Sequence, residues 1–563
     1  MAAAVVLVHF YVALHALAPV YWEDEAGYLL NAQTIAGFGR LTDLQGMSYY
    51  PGWSLFLVPL WWILQDPDLV YRAAAILAAL FGIGTAVPLA LIARRFNLSW
   101  PHAIIAGSVV VLGPGRVLMS GFALSENCLA FFFALTALLA LRYAQSPSWK
   151  TAAVLGAVAA FTFIVHGRAV PVVIATGLWF GWQLIRRQWH VLAGVAALAV
   201  VTLAGLALYR WSGSLIYPTT GREADGISKV FMSTPWATLL SGAGQIWFHI
   251  AATVGLVAFG LMAVAVLTIR EIRSRKPAAI TWFAVMMLGL MTISFTYISD
   301  GVLVLKPRLD IYVYGRYLDP FIEILCLAGA IALLRVLSRK TVIIVAGITL
   351  TLMAAYVLVA RALIPGLENG GWWAPLNVLG LLQWNWPGRG SSSIPYLWPS
   401  VVTAAAFLLV FLLRKHAAIV LLIFGIYFAG SSVWASYYGV RPFETTFYTA
   451  FTLKDTVREY SADHTVSFDT RGLSDVVPAV DTVSRNAYQY WLVPYSPPVF
   501  NSQTDEVTTE LVISRPDWEY AEELGARLIA VDTVFENALW VMPGALQDQL
   551  ESEGKLIPVP VTE

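Results

Sequence analysis

Long apolar runs separated by short polar ones dominate residues 1 to 437, and a mixed, strand-like pattern takes over from residue 438. A bilayer core needs roughly 20 apolar residues per helix. On that basis the chain offers about thirteen candidate spans, at residues 2 to 20, 70 to 93, 101 to 114, 122 to 142, 151 to 166, 169 to 185, 191 to 209, 243 to 268, 279 to 297, 318 to 336, 341 to 360, 399 to 413 and 417 to 436. The loop 21 to 69 is too apolar for a plain connection. Its stretches "AGYLLNAQTIAGF" and "YYPGWSLFLVPLWWIL" predict two interfacial helices rich in Trp and Tyr, and the "QDPD" that follows supplies acid and no base. Beyond residue 437, "TVSFDT", "AYQYWLV", "ELVIS", "RLIAVDT" and "ALWVMPG" read as short strands, and "PDWEYAEELG" and "ALQDQLESEG" as helices or turns closed by Gly. The predicted architecture is a polytopic α-helical membrane domain, residues 1 to 437, followed by a small α/β domain, residues 438 to 563.

Composition agrees. Of 563 residues, 58% are hydrophobic and 12% charged, and the mean hydropathy is +0.68, well outside the soluble range. Lys+Arg equals Asp+Glu at 35 each, so no global field recruits nucleic acid, and only the placement of charges can inform function. Arg94 and Arg95, Arg142 with Lys150, Arg186 and Arg187, the basic run 270 to 276, Arg335 to Lys340, and Arg414 with Lys415 fall in alternate loops. The positive-inside rule assigns that side to the cytoplasm together with the N-terminus, and the loop 21 to 69 and the C-terminal domain to the outside. The location expected is a bacterial plasma membrane. Cys128 and Cys326 lie in no paired ligand pattern, so neither a disulfide framework nor zinc is expected.

Five external features could carry chemistry. In "VYWEDEAGYLLNAQTIAGFGRL" a helix would send Glu23, Asp24 and Glu25 in three directions, whereas Asp24, Tyr28 and Asn31, at i, i+4 and i+7, share a face. The acids either complement a helix start or hold a base at the membrane surface. In "FIVHGRAVPV", Arg168 and His166 sit in a tight turn where a charge needs a partner, either a structural acid or a substrate phosphate. The loop "SDGVLVLKPRLDIYVYGRYLDPFIEIL" places Lys306, Arg308 and Arg316 against the positive-inside bias, interleaved with Tyr312, Tyr314 and Tyr317. Arg316 either forks onto a phosphate, with Tyr317 and Lys306 beside it, or pairs with Asp319. Gln245 and His249, four apart on one helix, either line a cavity or bind neighbouring helices. His9 and His15 point to different faces and read as structural. Trp372, Trp373, Trp384 and Trp386 form an aromatic belt or stack on sugar rings.

The long first run, the acidic pair and aromatic of "DEAGYLLNAQTIA" and the interfacial helices after it resemble the GT-C glycosyltransferases. The likeness is greatest to lipid A aminoarabinose transferases and protein O-mannosyltransferases, and extends to bacterial cell-wall arabinofuranosyltransferases. The resemblance covers nearly the whole chain. It implies an essential Asp in the first external loop, here Asp24 with Glu25 beside it, and an acid in the second, here Glu126 in "GPGRVLMSGFALSENCLAFFF", which could equally be a helix-start acid. It also implies transfer of a sugar from a polyprenyl-phosphate donor to an external hydroxyl on a lipid or envelope glycan, or on a protein. The expected partners are that donor, that acceptor and membrane lipids. No cofactor is required, although paired outer carboxylates could hold a divalent metal. A lipid-linked-sugar transporter or flippase, or a non-catalytic envelope-assembly subunit, is the alternative.

Overall fold

The computed structural model describes residues 1–20, 22–38, 49–216, 233–274, 278–304, 308–364, 374–384, 394–469, 487–488, 490–492, 497–532 and 536–559. Lys306, Trp372, Trp373 and Trp386 lie outside the described residues. The fold is the expected one, mostly apolar helices with a small C-terminal sheet, and the chain is a multi-pass membrane protein. Among the described residues seven helices are long and apolar enough to cross a membrane, or up to nine if each of two bent pairs is one span. The chain folds as two compact units. The first comprises Met1–Ala16, Ala75–Leu206 and Glu223–Arg441, and the second Leu17–Ala74, Ala207–Arg222 and Pro442–Glu563.

In the first unit two expected spans are broken. The run 243 to 268 is a pair of helices, Pro235–Ala252 and Leu256–Arg273, bent by 113°. Val254 and Gly255 take left-handed φ values of 45° and 84°, and the Gly255 N–H turns back to the Ile250 carbonyl at 2.8 Å, a glycine cap that ends a helix. Trp100–Val111 and Pro114–Gly121 are likewise bent by 65°, where Pro114 starts the second helix and has no N–H to continue the first. The first helix, Ala2–Ala13, is shorter than the apolar run 2 to 20, because the His15 Nδ1–H takes the Tyr11 carbonyl at 2.6 Å and the backbone closes in tight turns. His9 binds Ser120 Oγ at 2.7 Å and the Val111 carbonyl at 3.0 Å. It thereby pins the first helix to the break, the structural role expected of it.

In the second unit the two stretches of loop 21 to 69 form helices Trp22–Ala36 and Pro51–Leu64, packed on one another. The C-terminal part carries a five-stranded sheet of β1 (Val466–Asp469), β2 (Val499–Phe500), β3 (Leu511–Ser514), β4 (Arg527–Asp532) and β5 (Asn537–Val541). Its order is β2-β1-β3-β5-β4, with β1 parallel to β2 and β3, and β5 antiparallel to β3 and β4. Trp518 and Trp540 close one face over Val512 and Leu528. The "AYQYWLV" segment, expected as a strand, is a helical turn at its described residues, with the Leu492 N–H on the Tyr488 carbonyl at 2.9 Å. Its aromatics Tyr488, Tyr490 and Trp491 are all buried, whereas a strand covered on one face would bury only alternate residues. Acids of "QDPD" anchor this part. Trp491 donates to Asp68 at 3.1 Å, Tyr490 to the Pro67 carbonyl at 2.7 Å, and Arg458 lies 3.5 and 3.4 Å from Asp66 and Asp68.

Candidate active site

Charged residues of the first unit gather at helix ends and breaks, where backbone groups are also left unsatisfied. Glu126 opens helix Glu126–Gln145, Asp319 opens Asp319–Leu334, and Glu323 follows one turn later. Arg116 lies in the short helix Pro114–Leu118, and Arg168 in the turn Gly167–Ala169 between two helices. The fold brings the Glu126 carboxylate against two guanidinia. Its Oε1 accepts from Arg316 Nε at 2.8 Å and from Arg168 Nη2 at 3.2 Å. Arg168 Nη1 also donates to the Arg316 carbonyl at 3.2 Å, and its guanidinium lies 5.5 Å over the Tyr317 ring. All three charged side chains are buried. Two arginines meet on one carboxylate, and Arg168 Nε is buried without a hydrogen-bond partner among the described residues. Such an arrangement can bind an anion.

Local structure fixes each guanidinium. The Gly315 and Arg316 N–H groups donate to the Asn377 carbonyl at 2.9 and 3.2 Å, and Asn377 Nδ2 donates to buried Asp310 at 2.7 Å. Asp310 also receives Arg308, so Arg308 is engaged beside its own loop. His166 Nδ1 accepts the Arg168 N–H at 3.2 Å, capping the turn. Arg316 therefore meets Glu126, while Asp319 lies 3.4 Å from His249 Nδ1. Gln245 sits elsewhere. It donates to Ser241 Oγ at 3.1 Å and the Ser294 carbonyl at 3.3 Å, and accepts from Ser294 Oγ at 2.6 Å, which is a helix-to-helix clamp.

Sequence reasoning missed Arg116 and Glu323. Arg116 pairs with Glu323 and donates Nη1–H bonds to Asn127 Oδ1 at 2.8 Å and the Glu126 carbonyl at 3.0 Å. Arg116 falls at the loop from residue 114 that the basic alternation assigns to the outside, so the argument that singled out Arg316 could have found it, but Gly-Pro-Gly before it reads as a turn. Glu323 lay within an expected span, where an acid is itself a signal.

The second unit holds the other candidate group. Asp24, Tyr28 and Asn31 share a helix face as expected, and Tyr49 covers that face. Its hydroxyl donates to Asp24 Oδ1 at 2.8 Å, its carbonyl accepts from Asn31 Nδ2 at 2.9 Å, and its ring meets Tyr28 edge-on at 5.0 Å. Gly27 permits this approach, since a Cβ there would stand 2.1 Å from a Tyr49 ring carbon. Glu25 turns away into the interior. Its two oxygens accept from the Tyr71 hydroxyl and the Val20 N–H, both at 2.9 Å. Asp24 is half-buried and Glu25 fully buried, so neighbours in sequence have separate surroundings.

Structural comparison matches this chain to ArnT from Cupriavidus metallidurans bound to undecaprenyl phosphate, with a TM-score of 0.53 and 17% identity over 97% of this chain and 98% of that one. The apo state of the same protein matches at 0.53 and 16%, over 96% of each chain. Arabinosyltransferase EmbB from Mycobacterium smegmatis gives a TM-score of 0.43 and 14% identity over 77% of this chain and 40% of that one. No family model matches the sequence, and no curated protein matches it. At such identities the likeness is one of fold, and the fold is that of ArnT.

Proposed function

We propose that this protein is a membrane glycosyltransferase that moves a sugar from a polyprenyl-phosphate carrier to a hydroxyl acceptor by inverting direct displacement, at the outer face of a bacterial plasma membrane. The observation that carries the reading is the pair of guanidinia, Arg168 and Arg316, held on Glu126. Two buried cations fixed by one carboxylate make an anion site whose groups need not reorganise when charge develops. The ArnT fold supports it, since that relative is bound to a lipid phosphate.

In the reaction the acceptor oxygen forms a bond to the anomeric carbon, the carbon–oxygen bond to phosphate breaks, and the leaving phosphate keeps the electron pair. Arg168 and Arg316 stabilise that phosphate, with the Tyr317 ring packed against Arg168. A phosphate is a weak base, so no dedicated general acid is required. Asp24 takes the acceptor proton, held in place by the Tyr49 hydroxyl. Glu126 acts through the arginines as a positioning residue, and Glu25 through the Tyr71 and Val20 contacts that seat the start of its helix.

The test is transfer by purified protein in nanodiscs from a panel of radiolabelled polyprenyl-phosphate sugars to a hydroxyl acceptor mixture. The native protein turns over at least one donor. The Arg316→Lys variant, which keeps the charge and loses the fork, raises the KM for that donor. Absence of transfer from every donor, with the fold intact, overturns the proposal.

A further inference from the structure

The loops of the first unit that the positive-inside rule assigns to the cytoplasm carry a single acid, Glu271, among their Lys and Arg residues. Glu271 is engaged. It accepts from the Ala278 N–H at 3.1 Å, the Thr281 N–H at 2.8 Å and the Thr281 hydroxyl at 2.8 Å, and so holds the start of helix Ala279–Val304. The cations on this side are left without acids. Among the described residues none of Arg335, Arg339, Lys340, Arg414 and Lys415 forms an ion pair.

Arg414 stands at the edge of a groove. Helix Leu397–Leu413 passes through the turn Arg414–His416 into helix Ala417–Ala435, and helix Asp319–Leu334 ends beside them. Leu333, Leu337, Val410, Arg414, Ala417 and Val420 line the groove. Leu333, Val410 and Val420 are buried in its floor, whereas Leu337 and Arg414 are half-buried at its rim. The Arg339 guanidinium lies 5.9 Å over the Phe411 ring, which brings a second cation within a turn of Arg414. Two helices end here and one begins, so their poles oppose one another. The side chains therefore set the sign. Arg414 directs one N–H at the Phe411 carbonyl, 3.4 Å away, and its other N–H groups have no protein acceptor among the described residues.

A guanidinium without an acid, set over an apolar floor, fits an amphiphile with an anionic head. A soluble phosphate would use the charge and gain nothing from Leu333, Val410 or Val420. Leu408, Leu412 and Ile419 stay exposed on the same two helices, as side chains facing lipid do, so in a bilayer acyl chains run beside the groove. We propose that this groove binds one anionic glycerophospholipid from the leaflet on its side of the membrane. The phosphodiester sits on the Arg414 fork, with Arg339 and Lys415 beside it, and one acyl chain lies over the apolar floor. The site is separate from the anion site at Arg168 and Arg316 and does not rest on the glycosyltransferase reading.

The test is native mass spectrometry of the full-length protein in detergent, titrated with phosphatidylglycerol or phosphatidylcholine of the same acyl chains. The first phosphatidylglycerol binds with a Kd about tenfold or more below that of phosphatidylcholine. Arg414→Ala raises that Kd by about tenfold. Lys150→Ala, which removes an exposed cation from another loop of the same side, leaves it at the native value. Equal binding of the two lipids overturns the proposal. So does an equal loss in both variants, which would mean that a diffuse basic rim attracts the lipid. Competition by glycerol phosphate at the concentration of the lipid itself overturns it in favour of a soluble anion. Should Arg414→Ala not fold, the native protein is labelled with phosphatidylglycerol carrying a photoreactive acyl chain. Crosslinks within residues 333 to 337 or 410 to 420 support the site, and crosslinks only elsewhere, or none, overturn it.

Discussion

In the first unit Glu126 accepts from Arg316 and Arg168, and Glu323 from Arg116, all buried. In the second, Asp24 accepts from the Tyr49 hydroxyl, and Glu25 from the Tyr71 hydroxyl and the Val20 N–H. These first-unit acids accept from guanidinia, whereas Asp24 and Glu25 accept from neutral donors among their partners. The difference separates two kinds of work. A carboxylate gripped by two guanidinia sets their positions, whereas one that accepts from a phenol is oriented toward a neighbouring group. Reversing those roles by mutation is the most direct way to break the comparison.

The largest effect belongs to Asp24. Asp24→Asn keeps an acceptor oxygen for the Tyr49 hydroxyl and removes the base, so transfer falls by about 10²–10⁴-fold with an unchanged melting temperature. A rate within a few-fold of native removes Asp24 from the chemistry. Next comes Glu126→Ala, which removes the buried carboxylate that Arg168 and Arg316 share. Breaking a buried ion pair from one side costs about 3–5 kcal/mol, read as a lowered midpoint of thermal or denaturant unfolding in detergent micelles. A neutral result there would mean that the two guanidinia find other partners, and the contrast between the units would fail.

These residues were legible to different degrees. Apolar runs near bilayer length, and the period of the opening helix, are local properties, so the helices and the shared face of Asp24, Tyr28 and Asn31 could be read directly. So could Arg168 and Arg316, as charges out of place in their surroundings, whereas Glu126 was singled out by the family resemblance. Their pairing could not. Glu126 and Arg316 are 190 residues apart, and sequence proximity favoured Asp319 as the partner of Arg316. Only packing decides otherwise. The bend after Ala252 was hidden for a related reason, because Val254 and Gly255 interrupt neither hydropathy nor length, and only their backbone angles turn the chain. Tyr49 was overlooked as one more interfacial aromatic.

Tyr49 gives a smaller effect that sharpens the same contrast. Tyr49→Phe removes one hydrogen bond to Asp24 and leaves the ring packed on Gly27 and Tyr28. A bond to a charged acceptor contributes about 1.5–3 kcal/mol at most, and Asp24 is half-buried, so water recovers part of that. Transfer therefore falls by about tenfold, with the loss in kcat and little change in donor KM, because this bond orients the base and touches no phosphate. A change in donor KM alone would place Tyr49 on the substrate and refute the orienting role.

The smallest effect asks whether burial, and not the presence of a cation, gives the first unit's pairs their weight. Arg515 and Asp517, in the second unit, repeat the chemistry of Arg316 and Glu126 at 2.8 Å, but with side chains 36% and 45% exposed. The hydrogen bond from Arg515 holds the Asp517 carboxyl below its ordinary value. A carboxyl lowered on folding stabilises the protein above its unfolded pKa of about 3.9, and that contribution is lost as pH falls through the folded value. Asp517→Asn should therefore flatten the acid side of the stability curve below about pH 4 and leave stability near neutral pH within about 1 kcal/mol of native, as exposed pairs do. Urea unfolding followed across that range measures both. A loss at neutral pH as large as that of Glu126→Ala would show that a cation beside a carboxylate suffices in either setting, and burial would no longer explain why the first unit's arginines need their acid.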